Sequence, residues 1–154
     1  MVAYRKYLGE NMQKKLHMDH HPGTNPEPFT TIITGLQESN ALLESTYYYP
    51  RGGGQPGDIG TMVSGDIETP IAEVLPGEMI LHPIGEPDMF EVGDEVICSI
   101  NQERRNLHAQ MHTAQHIVSA LAEDIWGAET VGNQLSTDNS RVDLLFEDKT
   151  VFDP

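Results

Sequence analysis

Two histidines, His112 and His116, stand four residues apart in the sequence. On a helix that spacing places two imidazoles one turn apart on a single face, which is how a helix offers a pair of nitrogen donors to one metal ion such as Zn2+. The spacing alone defines half a site, and a polar helix face rich in histidine accounts for it equally well. His108 continues the row one turn earlier but drifts around the helix, which places it behind the pair or in solvent. His17, His20 and His21 form a looser cluster suited only to adventitious metal. Cys98, in a strand-type run, reads as a small core residue rather than a ligand.

A helix over about 101–127 must carry the pair. Asn101 suits its N-cap and Gly127 its left-handed end. At 100° per residue, Leu107, Met111, Ala114, Val118, Leu121 and Ile125 fall within roughly 40° of one line, which predicts a core-facing stripe with the histidines on the other side. Beyond it, 130–136 and 140–146 read as two strands joined by a turn at 137–139. Ahead of it, strand-type runs at 29–33, 41–49, 61–63, 71–75, 79–83 and 95–100 are broken by Gly, Pro, Asn and Asp, the pattern of a small antiparallel barrel or sandwich. Residues 1–28 end in a segment rich in proline and histidine and read as a tail or linker, with a short helix over 4–16 as an option. The expected fold class is therefore α+β: a β-barrel module over 29–100, then the first part of an α/β domain over 101–154.

Within the barrel module lies Tyr49-Pro50-Arg51-Gly52-Gly53-Gly54-Gln55-Pro56-Gly57-Asp58-Ile59-Gly60. Consecutive glycines allow positive φ and close approach of a ligand or a second backbone. No Gly-Lys-Ser/Thr follows, so a nucleotide-phosphate loop is excluded.

The 154 residues carry 24 Asp and Glu against 9 Lys and Arg, a net charge of -15. That balance opposes an extended nucleic-acid surface, because phosphate contact relies on Lys and Arg, so any such contact must be local or supplied by another chain. A single cysteine excludes an intrachain disulfide. No stretch has the length of a signal-peptide core or a membrane span, and the expected protein is soluble and cytoplasmic, with no membrane partner.

With its neighbours, the histidine pair reads H-T-A-x-H, with Arg104-Arg105 one to two turns upstream. This stretch resembles the editing domain shared by alanyl-tRNA synthetase, threonyl-tRNA synthetase and the free-standing AlaX proteins. The glycine-rich segment resembles the Y-P-x-G-G-G-Q-P-x-D-x-G motif of the barrel module that precedes that domain in alanyl-tRNA synthetase and the longer AlaX proteins. The match covers roughly residues 29–150. The resemblance implies a zinc-dependent hydrolase acting on mischarged alanine-specific tRNA, releasing serine or glycine and so serving translation fidelity. It implies His112 and His116 as zinc ligands and Thr113 as the residue that recognises the serine hydroxyl. It implies substrate or tRNA contacts by Gly52, Gly53, Gly54, Gln55, Arg104, Arg105, Gln134 and Arg141. Arg141-Val142-Asp143 resembles the family's R-x-D strand, and an ordinary charge pair on a strand edge explains it equally well. Family members complete the zinc site with a C-x-x-x-H pair well downstream, which is absent before Pro154. The expected explanation is a fragment of a longer protein. A degenerate member, or a half-site completed by a second copy or another chain, are the alternatives. In function, the alternative to a hydrolase is a non-catalytic tRNA- or synthetase-binding module.

Overall fold

Strand Glu95–Ile100 shows how this sequence builds its sheet. Val96, Cys98 and Ile100 point inward and are buried, while Glu95 and Ile97 face solvent, the two-residue period of a half-buried strand. The computed structural model describes residues 12–19, 26–147 and 150. In chain order its elements are β1 (Lys14–Lys15), β2 (Phe29–Gln37), β3 (Asn40–Leu43), β4 (Ser45–Thr46), β5 (Gly60–Ser64), β6 (Ile67–Ile71), β7 (His82–Pro83), β8 (Glu95–Ile100), α1 (Gln102–Trp126), β9 (Glu129–Gln134) and β10 (Arg141–Leu145).

Six strands form one antiparallel sheet in the order β6-β5-β8-β2-β3-β7. The long β2 serves two neighbours: Phe29 to Ile32 pair with β8, and Ile33 to Gln37 pair with β3 after a register shift between Ile33 and Gly35. That irregularity bends the strand, so the sheet curls as bulged strands do. Its two ends meet at a bridge between Ile71 and Ile84, supported by the Ala72 amide donating to the Pro83 carbonyl at 2.9 Å. The curled sheet encloses Ile33, Leu43, Tyr48, Met62 and Val96, each fully buried. Tyr48 spans this interior, and its hydroxyl donates to the Ser99 carbonyl at 2.8 Å, which satisfies the one polar atom the ring carries inward. Cys98 is a core residue, as expected from its strand, and burial pushes its thiol up to about 12.

The boundary expected at residue 28 differs from what is seen. Residues 12–19 pack on the barrel: β1 pairs in parallel with β4, and the buried Gln13 side chain donates to the Leu43 carbonyl at 2.9 Å and accepts from the Ile80 amide at 2.7 Å. A buried amide with both ends satisfied is a structural tether, and a polar residue in an aperiodic stretch carries no sequence signal for it. The helix proposed over 4–16 falls mostly outside the described residues; Lys14–Lys15 is strand and Leu16–Met18 a 3-10 turn.

The helix ends are as expected. Asn101 Oδ1 accepts from the Arg104 amide at 2.9 Å, and Gly127 takes φ 64°. Its buried face is not as expected. Arg105, His108, Gln115 and Ala122 are the buried helix residues, whereas Val118, Leu121 and Ile125 are 48%, 52% and 62% exposed. The packed line lies roughly 100° around the helix from the apolar stripe. The cause is the supply of partners: the glycine-rich loop and β9 offer carboxylate, amide and hydroxyl groups, and the helix turns its polar line toward them. Ile117 and Trp126 are exposed as well, although Trp126, at the end of the helix beside Phe146, falls on the packed line and not on the apolar stripe. Trp126 is the only tryptophan and is 46% exposed, so its fluorescence should be red-shifted and accessible to a soluble quencher; a blue-shifted, shielded indole would show that this end of the helix is covered in solution. No helix among the described residues is long and apolar enough to cross a membrane.

Candidate functional site

The site is assembled by an ion pair that carries no site chemistry of its own. Arg105, in the first turns of α1, reaches the Asp58 carboxylate and the Tyr47 carbonyl beneath the glycine-rich segment, and its side chain is only 7% exposed. Asp58 also accepts from the Tyr49 amide at 2.7 Å, and its own amide returns a bond to the Tyr49 carbonyl at 2.9 Å. These bonds close the loop from 49 to 58 and lock the start of α1 against it.

Within that loop Gly52 and Gln55 exchange two backbone hydrogen bonds, at 3.0 and 2.9 Å. The tight turn between them needs the positive φ of Gly53 (58°) and Gly54 (79°), which L side chains rarely adopt. Gly54 also lies against β9: its carbonyl accepts from the Leu135 amide at 2.8 Å, and a Cβ there would fall 1.7 Å from Asn133 Oδ1 and 3.1 Å from the Asn133 carbonyl oxygen. Gly54→Ala should therefore push β9 away from the loop and cost about 1–3 kcal/mol, combining strain at positive φ with a lost contact. Faster hydrogen exchange at the Leu135 amide is the expected readout.

The loop presents Gln55, which is 3% exposed, to the helix. Gln55 Oε1 lies 2.9 Å from His112 Nδ1. The His112 and His116 rings are stacked, with centroids 5.0 Å apart and planes 13° from parallel. The two motifs that carried the resemblance, 57 residues apart in sequence, thus meet in one hydrogen bond. Burial, then the neighbouring His116, lowers the pKa of His112, which favours the neutral ring. His108 is 1% exposed with no hydrogen-bond partner for Nδ1 among the described residues, so it is behind the pair and not in solvent. Its pKa is also lowered, by burial and then by Arg104.

A chain of polar side chains ties α1 to β9 beside the pair. Asn133 Nδ2 donates to Gln115 Oε1 at 3.2 Å, Gln115 Nε2 to Ser119 Oγ at 2.8 Å, and Thr130 Oγ1 to the same Ser119 oxygen at 2.7 Å. Gln115 and Asn133 escaped the sequence reading. Gln115 lies three residues after His112 on the same face, which was the signal available for it. Next to His116 an open hollow of about 380 Å³ runs between the helix and β9, with Ser119, Glu123, Glu129 and Thr130 on its walls.

Gly53 and Gln55 lie against His112, Gly54 lies against Asn133 of β9, and Gly52 is bonded to Gln55. Thr113 is exposed, and its hydroxyl donates to the Ala109 carbonyl at 3.0 Å, the local bond common to helical threonine. Gln134 and Arg141 are paired residues at one end of the β9–β10 hairpin, both exposed, with Arg141 Nε 3.1 Å from Asp143 Oδ1. Arg105, expected to contact substrate or tRNA, is 6% exposed, with its guanidinium engaged by Asp58 and the Tyr47 carbonyl. Arg104 is mostly covered as well, donating to the Gly57 carbonyl with Glu73 3.9 Å away. Arg51, which the sequence reading passed over, is 60% exposed and pairs with Glu73 at 2.6 Å. Among the described residues every arginine thus faces a carboxylate, the physical result of so acidic a chain.

Two imidazoles, of His112 and His116, stand one helical turn apart, and no group of three His, Cys, Asp or Glu able to hold a metal occurs among the described residues.

No family model matches the sequence. Individual proteins do. The alanine–tRNA ligase of Methanosphaera stadtmanae is 34% identical over 140 residues, covering 84% of this chain and 15% of the ligase. The corresponding ligase of Pyrococcus furiosus is 38% identical over 122 residues, 75% of this chain and 13% of that protein. The alanyl-tRNA editing protein AlaX-M of Methanosarcina mazei is 37% identical over 114 residues, 69% of this chain and 45% of the relative. The chain belongs to the AlaX and alanyl-tRNA synthetase editing-domain family. It spans less than half the length of these relatives. Within the family frame, the two segments that define the resemblance are the two that meet at Gln55 and His112.

Proposed function

We propose that this chain belongs to an editing activity that removes a wrongly attached amino acid, serine in the first place and glycine in the second, from alanine-specific tRNA. The carrying observation is the meeting of His112, His116 and the glycine-rich loop, together with the similarity to the editing protein AlaX-M. His112 and His116 would hold Zn2+ as two of its ligands. A bound zinc ion supplies an electrophilic centre beside which water and an ester carbonyl are activated. The residues of the chain supply recognition. Because the Thr113 hydroxyl hydrogen is given to Ala109, its oxygen keeps free lone pairs and can accept from a serine hydroxyl that alanine lacks. Gln134 and Arg141, exposed on the hairpin, and Arg51, exposed on the loop, would meet the tRNA end. With Arg51 and Arg141 already paired to carboxylates, the phosphate contribution is small and binding should depend only weakly on salt.

The test is deacylation of serine-charged alanine tRNA by the zinc-loaded protein, with correctly charged tRNA as control. Serine release should exceed alanine release, and His116→Ala should slow it on the order of 100-fold, since metal stabilisation of the transition state is worth several kcal/mol. The two-ligand donor set favours a second reading, a non-catalytic module that binds tRNA or a synthetase. Retention of tRNA in a gel shift without serine release would select that reading.

A further inference from the structure

We infer that Gln55 is a positioning residue for His112: it holds the imidazole proton on Nδ1 and thereby presents an unprotonated Nε2 to a ligand. A glutamine Oε1 can only accept, so a partner nitrogen 2.9 Å away must carry the hydrogen. In a neutral imidazole a proton on Nδ1 leaves the lone pair on Nε2. Gln55 is itself immobilised: its side chain is buried, and its backbone is bonded in both directions to Gly52. The acceptor is therefore built before any ligand arrives.

Gly53 completes the device from the other side. A Cβ at this position would stand 3.3 Å from His112 Cε1 and 3.6 Å from Nε2, whereas a metal bonded to Nε2 needs an approach to about 2.0–2.1 Å. Glycine leaves that edge of the ring uncovered. Two adjacent parts of one loop thus act on the two ends of one imidazole, Gln55 assigning the proton and Gly53 keeping the opposite nitrogen open. The helix alone places His112 in space but leaves ring orientation and tautomer undetermined; the loop decides both. The functional consequence rests on the metal reading above, but the tautomer is a property of the metal-free protein.

The experiment is nitrogen-15 NMR of histidine-labelled, metal-free protein at about pH 8, above the usual histidine range, where long-range proton–nitrogen correlations identify which nitrogen bears hydrogen. His112 should carry its proton on Nδ1 in the wild type and in Gln55→Glu, which keeps an acceptor oxygen. In Gln55→Met it should redistribute toward Nε2. A proton on Nε2 in the wild type, or an unchanged tautomer in a folded Gln55→Met, would overturn the inference; the wild-type measurement stands even where the variant fails to fold. Zinc titration of the same samples separates this from the metal reading. Affinity falling about 10- to 100-fold in Gln55→Met and recovering in Gln55→Glu supports both. Wild-type protein with the Nδ1 proton but no zinc affinity supports the positioning role and ends the metal reading. Equal zinc affinity with an unchanged tautomer in Gln55→Met ends the positioning role and leaves the metal reading standing.

Discussion

Arg105→Met should destabilise the fold by about 3–5 kcal/mol, measured by urea denaturation, because it leaves the Asp58 carboxylate buried without its counter-charge. Asp58 is 1% exposed, and among the described residues the Tyr49 amide is the other donor to its carboxylate, which does not neutralise a full charge. The effect should extend to the site, since the same pair holds the glycine-rich loop against α1. Loss of Arg105 should therefore broaden the His112 signals as the Gln55 contact loosens. The double variant Arg105→Met with Asp58→Asn should recover part of the lost stability, because the neutral amide removes the stranded charge while its oxygen still accepts from Tyr49. A single variant within about 1 kcal/mol of the wild type would show that the pair is dispensable.

The second large effect is acid sensitivity centred on His82. This histidine is fully buried in the barrel, with Nε2 2.9 Å from Thr46 Oγ1 and Nδ1 3.2 Å from the Ala41 carbonyl. Burial lowers its pKa from 6.5 to about 4, the bonds to Ala41 and Ile80 offsetting only part of that. The unfolded chain takes up the proton first on acidification. Stability contributed by the neutral ring is therefore intact above about 6.5, declines as pH falls toward 4 and is lost below that. The difference corresponds to something on the order of 3 kcal/mol. His82→Gln, which cannot titrate, should show a shallower loss of stability across this window. Parallel curves for the two proteins would assign the acid sensitivity to other groups.

Much of the scaffold was legible because it follows local rules. The run 95–100 read as a strand, and Asn101 and Gly127 marked the ends of α1. These features depend on residues a few positions away. The family was legible for another reason: a histidine pair at helical spacing and a run of glycines are rare enough together to point to one family.

What local rules could not supply was the direction in which the helix packs. Hydrophobic periodicity assigned Leu107 to Ile125 to the core, yet Arg105, His108, Gln115 and Ala122 are the residues covered. A helix buries the face for which the surrounding chain has partners, and here those partners are Asp58, Gln55 and Asn133, which lie in other elements. The same holds for Gln13, whose tether to Leu43 and Ile80 joins residues 30 and 67 positions apart.

The sequence by itself determined the inventory: which residues could bind a metal, where the helix that carries them begins and ends, and which family uses both motifs. Only the tertiary structure decided that Arg105 is an internal fastener, that Thr113 has spent its hydrogen on the helix, and that Gln55 faces His112. The physical reason is that spacing along one helix fixes relative positions only within that helix. The proton on an imidazole and the neutralisation of a buried guanidinium depend on atoms brought close by the long-range closure of the barrel.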